Sequence, residues 1–209
     1  MKKQSINGGV KVLAALIACM MCVSARADFT FNISQSGSNV VGSGSGSFNL
    51  SSLTLFSAGS GGNTGYIDPS GFVASGGSAD TTDWYQGYTV PGNPSNFGTG
   101  GGISADSNST NGFFVLIPGL ITGDTAILEV AGGYVSGASF DVSSVWSNTT
   151  ISGLGLTPGS FTWQWSATSG GGATDSVTVN IAGVPEPSTY ALFGLGSLLV
   201  FVAYRRKAA

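Results

Sequence analysis

Between residues 28 and 184, large apolar side chains recur in short alternating runs separated by turn-forming residues, the pattern of an all-β domain. Phe29, Phe31 and Ile33 alternate with Thr30 and Asn32 and predict a first strand with one buried face. Val40-Val41, then Phe48, Leu50, Leu53 and Leu55, continue the β pattern, with the Gly-Ser run at residues 42–47 as a break in it. Residues 57–65 and 75–80 are turn-rich and predict loops around a short strand at Phe72-Val73, followed by a strand over residues 84–90. Residues 91–109 are the least patterned stretch and predict a long surface loop.

The second half is written more plainly. Residues 112–117 form a continuous apolar run that Pro118 is expected to end, and residues 125–130 follow after Gly123-Asp124, so the two predict a central pair. Residues 142–146 and 149–151 come next. Phe161, Trp163 and Trp165 then alternate with Thr162 and Gln164, a turn is expected at residues 169–172, and Val177, Val179 and Ile181 alternate on the return. This predicts a hairpin whose aromatic and aliphatic residues lie side by side on one face. Residues 28–184 therefore predict one antiparallel β-sandwich or jelly-roll-like domain, with helices confined to the two ends of the chain and no internal repeat.

The ends carry a different pattern. Lys2, Lys3 and Lys11 precede an apolar run at residues 12–23, and Ala25-Arg26-Ala27 supplies the small residues a signal peptidase accepts. Residues 1–27 thus predict a signal peptide, with Ala25 and Ala27 just ahead of the cut and Asp28 as the mature start. Leu16-Ile17-Ala18-Cys19 has the form of a lipoprotein box, which makes a lipid-bearing Cys19 the alternative start, although Met20-Met21-Cys22-Val23 continues the apolar run. At the other end, Pro185 and Pro187 hold an extended segment around Glu186. Residues 189–204 then carry no charge, and Arg205, Arg206 and Lys207 follow directly. At about 1.5 Å per residue this helix spans roughly 24 Å, against a hydrocarbon core of about 30 Å. Cations beside a span stay cytoplasmic, which leaves residues 28–184 outside.

Charge sharpens this further. Of the ten acidic residues only Glu186 lies outside residues 28–184, while all seven Lys and Arg do, and the chain has no His. A domain without cations cannot displace the counterions of a nucleic acid, so DNA and RNA are excluded as partners. Phosphate clamps, Schiff-base chemistry and His-dependent triads are excluded with them, because each needs a missing side chain. Both cysteines, Cys19 and Cys22, lie in the leader, leaving the mature chain without disulfides or a Cys-based metal site. No cofactor is implied.

Three weaker constellations remain. Asp80 with Asp83, or Asp124 with Glu129, supply the two carboxylates that glycoside hydrolysis needs, although acids beside Gly and Ser also cap turns and keep a surface soluble. The run Asp106-Ser107-Asn108-Ser109-Thr110-Asn111-Gly112 alternates oxygen side chains as a calcium loop does. Its glycine comes one residue late and Ile117 stands where the closing Glu belongs, so a turn leading into a strand accounts for it, and no metal site is assigned. Trp84, Tyr85, Trp163 and Trp165, with Tyr88 and Phe161, are candidates for stacking on a sugar; the same spacing at Phe161, Trp163 and Trp165 also suits a core.

The tail resembles the PEP-CTERM signal of Gram-negative bacteria, through Pro185-Glu186-Pro187, the following Ser188-Thr189, the span punctuated by Gly194 and Gly196, and the Arg-Arg-Lys end. The body is similar to exported proteins of that kind, through the Gly-Ser run ending in Phe48-Asn49-Leu50, Pro94-Ser95-Asn96-Phe97-Gly98-Thr99-Gly100-Gly101, Gly133-Tyr134-Val135-Ser136-Gly137, and the stretch from Leu154 to Trp165. The resemblance implies recognition of residues 185–209 by an exosortase, a passing membrane anchor, and delivery to the cell surface or the extracellular polysaccharide matrix. On the resemblance alone the body is an exported β-rich protein of undefined biochemistry; with the residues above, the expectation is a structural protein rather than an enzyme, with a carbohydrate-binding module of the same matrix as the alternative and a carboxylate-only hydrolase behind it. It supplies no catalytic residues.

Overall fold

The computed structural model describes residues 28–60, 64–77, 81–109, 113–121 and 125–183, together with Leu195 and Tyr204. The expected signal helix and the expected tail helix lie outside the described residues, apart from those two isolated positions. Among the described residues no helix is long and apolar enough to cross a membrane.

Among the described residues thirteen strands are formed: β1 (Asp28–Ser36), β2 (Asn39–Gly46), β3 (Thr54–Ser60), β4 (Tyr66–Asp68), β5 (Phe72–Gly76), β6 (Thr82–Thr89), β7 (Ile103–Ser104), β8 (Ser107–Asn108), β9 (Phe113–Ile121), β10 (Thr125–Ala131), β11 (Phe140–Trp146), β12 (Gly159–Ser166) and β13 (Asp175–Ile181). The domain is all-β, as the alternating pattern predicts. Its layering differs from two stacked sheets: the strands form one continuous sheet in the order β7-β4-β5-β9-β10-β6-β12-β13-β1-β2-β11-β8, with β3 added to β6. The sheet curls so that its inward faces pack on one another.

One short segment brings the ends of that sheet together. β7 pairs with β4 and β8 pairs with β11, yet only Ala105-Asp106 separates them. Ala105 N–H donates to Gly65 O at 2.8 Å on one side, while Asp106 N–H donates to Val145 O at 2.8 Å on the other. The stretch expected as a loop at residues 91–109 therefore holds the seam of the sheet, and its Phe97 is buried in the core.

The Gly-Ser run does not interrupt the sheet; it is most of strand β2. Gly42 and Gly44 face inward and Ser43 and Ser45 face solvent, so the run alternates like any half-buried strand with its inner side chains removed. The space is taken by neighbours: a Cβ on Gly44 would stand 2.8 Å from ring carbons of Phe29 and Phe31, and one on Gly42 would strike Phe31 and approach Trp146. β2 lies between β1 and β11, with Phe31 opposite Gly44 on one side and Val142 opposite Gly44 on the other. Bulky rings on the flanking strands fill what glycine leaves open.

The C-terminal hairpin forms as its alternation predicts. Phe161 pairs with Val179 and Trp163 with Val177, which puts rings and aliphatic chains side by side. β13 then pairs in parallel with β1, Phe29 opposite Val177 and Phe31 opposite Val179, an exception to the expected antiparallel arrangement. β9 and β10 form the expected central pair, but β9 runs through Pro118 to Ile121. The register shifts between Thr125 and Ala126, beside the position paired with Pro118, which is where a residue without an N–H can be accommodated within a ladder. Leu50, read as part of a strand, instead opens a single 3-10 turn, Leu50–Ser52, whose Ser51 N–H is capped by Asn49 Oδ1 at 3.0 Å.

Candidate functional site

Asp83 and Asp175 are committed to the backbone. Asp83 at the start of β6 accepts N–H groups from Gly59 at 3.2 Å and Gly133 at 2.9 Å, tying the end of β3 to the turn after β10. Asp175 accepts from Asn49 N–H at 2.6 Å and from Ser176 N–H at 2.8 Å. Glu129 is fully buried in the middle of β10, paired with Trp84 of β6, whereas Asp83 pairs with Val130 and so belongs to the opposite face of the sheet. Asp80 and Asp124 lie outside the described residues.

The oxygen-rich run at residues 106–112 is the seam of the sheet as far as it is described. Asp106 Oδ2 accepts Ser147 N–H at 2.6 Å, Asn108 Oδ1 accepts the Ser144 hydroxyl at 2.7 Å, and Ser109 Oγ accepts Ser143 N–H at 2.8 Å. These oxygens satisfy β11. Among the described residues no group of three acidic, Cys or His side chains could hold a metal.

Trp163 and Trp165 are removed from the six stacking candidates by burial. Trp163 is 1% exposed and Trp165 is 2% exposed, both inside the main core, so neither presents a face to a sugar. Trp163 packs edge-on against Phe97 at 5.7 Å and donates its indole N–H to Pro94 O at 2.9 Å, so residues 94–97 cover it. Trp84 and Tyr85 are half-buried on opposite faces of β6 and cannot form one platform. Trp84 packs on the outer cluster of Ala74 and Ile127, while Tyr85 packs on the main core. Burial raises the Tyr85 phenol above its ordinary 10.0, with the nearby Asp83 charge adding to it.

An open cleft appears where no sequence motif pointed. Thr64, Tyr66, Phe72 and Ser104 line a cavity of about 270 Å³ on the outer face of the sheet. Tyr66 lies opposite Ser104 on β7 and opposite Ala74 on β5, so register alone gathers them onto one face. The Tyr66 and Phe72 rings meet edge to face, with centroids 5.2 Å apart and an interplanar angle of 86°. Both are half-buried against Ala74 and Ile127, which fixes them while leaving part of each ring open. The only hint in the sequence is two aromatics bracketing the turn-forming Asp68-Pro69-Ser70-Gly71.

At the end of the domain, Ala182 N–H donates to Ile33 O at 2.8 Å, so the body holds the chain to within three residues of Pro185. Pro185, Glu186, Pro187, Arg205, Arg206 and Lys207 lie outside the described residues, as do Ala25 and Ala27. β1 begins at Asp28, directly after the expected leader.

Residues 183–207 match the PEP-CTERM protein-sorting motif. The chain therefore carries the sorting signal that its tail resembles, and with it the mark of an exported protein handled by an exosortase-related pathway. No curated protein matches the chain. No solved structure matches it.

Proposed function

We propose that this chain is a structural protein of the Gram-negative cell surface or extracellular polysaccharide matrix, delivered there by exosortase processing of residues 185–209. The observation that carries this reading is the sorting motif at residues 183–207, set directly behind a β-domain that ends in a hydrogen bond at Ala182. In this reading the secretion machinery exports the chain and signal peptidase cuts after Ala27. The tail helix then holds the protein in the inner membrane with Arg205, Arg206 and Lys207 on the cytoplasmic side. Exosortase reads Pro185-Glu186-Pro187 and releases the body from that anchor. No reaction is assigned to the body.

Fractionation of cells expressing the full chain or a form lacking residues 185–209 tests this. The full chain is expected in the surface or matrix fraction, and the truncated chain is expected to lose that location. Identical distribution of the two forms would remove the sorting role.

A further inference from the structure

We infer that the outer-face cleft at Tyr66 and Phe72 is a subsite for one neutral sugar ring of a polysaccharide. Trp163 and Trp165 are buried and Trp84 and Tyr85 are split between faces, so these four aromatics build no common platform. Tyr66 and Phe72 do. Their rings are held at 86° to one another, giving a corner with one aromatic face and one aromatic edge, a shape that accepts the C–H surface of a pyranose. Thr64 and Ser104, both exposed, place hydroxyls on the same cavity, and each can donate and accept to a sugar hydroxyl.

Size and charge narrow the ligand. The cavity of about 270 Å³ lies just below the usual range of ligand pockets, which begins near roughly 300 Å³, and so suits one ring of a chain rather than a buried oligomer. Gly102 packs on the Tyr66 ring and hydroxyl so closely that any Cβ there would collide with them, and Gly101 beside it has open space around it. The rim is thus low enough for a polymer to run past. All Lys and Arg lie outside residues 28–184, so uronate, sulfate and phosphate groups find no cation and meet a uniformly acidic domain. A neutral hexose needs neither.

The inference rests on the surface reading above only for where the polysaccharide is met, and its test needs no cell. The protein, purified as exported, is run in native gels containing dextran, galactomannan or alginate. Retardation by at least one neutral polymer and none by alginate is expected. Phe72→Ala is expected to weaken binding about ten-fold or more, as loss of one stacked ring does, and Tyr66→Phe to change it little. Ser104→Trp, which fills the cleft from an exposed position, is expected to abolish binding while leaving the melting temperature near wild type. Unchanged mobility in both neutral gels, retardation that survives Phe72→Ala and Ser104→Trp, or equal retardation in alginate would overturn the assignment. Any of those results leaves the fractionation outcome untouched, so the two readings fail separately.

Discussion

At Gly44 a hydrogen stands where any other residue would drive a carbon into two phenyl rings. Its neighbours in sequence look like linker, but its neighbours in space are Phe29 and Phe31, and the Gly-Ser alternation is a strand whose inner side chains are supplied by β1 and β11. Gly44→Val is expected to destabilise the domain by about 1–3 kcal/mol, the usual cost of overpacking. Ser43→Val, one residue away on the solvent face, is expected to change stability by less than about 0.5 kcal/mol. Urea unfolding midpoints check both, and equal midpoints would show that β2 is not packed this way.

Tyr134 is the second residue whose role is legible only in three dimensions. Its hydroxyl accepts Phe48 N–H at 2.9 Å and donates to Ala138 O at 2.5 Å, pinning the chain after β2 to the loop before β11. Burial raises its pKa above the ordinary 10.0; the Asp175 charge adds to this and the bond to Phe48 opposes it. Because the folded form holds the proton more tightly than the unfolded one, this contribution is complete below pH 10 and is lost as pH rises through the folded value. Tyr134→Phe is expected to cost about 1–2 kcal/mol at neutral pH, from the two lost hydrogen bonds. It should also flatten the decline in stability above pH 10, as followed by denaturant melts across an alkaline series.

Among the elements, those whose partners are close in sequence were readable. The hairpin of β12 and β13 and the pair β9–β10 are joined by short connections, and their alternation sets which residues meet. What alternation cannot encode is a partner far along the chain. β1 lies parallel to β13, and β7 and β8 are two residues each, too short to leave a period in the sequence, yet they hold the ends of the sheet together. The cleft was hidden for the same reason, since Tyr66 meets Ser104 only once β4 and β7 have paired. Pro118 illustrates the converse: its effect on a strand is clear in principle, but a register shift in the neighbouring strand lets β9 continue. The seam is expected to be the least protected part of the sheet, with the amides of Ala105, Asp106 and Ser109 exchanging before those of β12 and β13 in native-state hydrogen exchange. Equal protection throughout would mean that the seam opens only with the whole domain.

For the whole molecule, charge and end segments were the informative features, because both act without reference to the fold. An acidic body without cations disfavours polyanionic partners however it is folded, and the sorting motif at residues 183–207 addresses the chain from behind that body. The β-domain is the load, tied at Ala182 by a hydrogen bond to Ile33 just ahead of that address. The most direct test of the account is the intact mass and terminal peptides of the protein recovered from the cell surface or matrix. The account predicts a chain that begins at Asp28 and has lost Arg205, Arg206 and Lys207 together with the apolar span. Recovery there of the unprocessed chain, from Met1 to Ala209, or its absence there with the unprocessed chain resident in the cytosol, would contradict it.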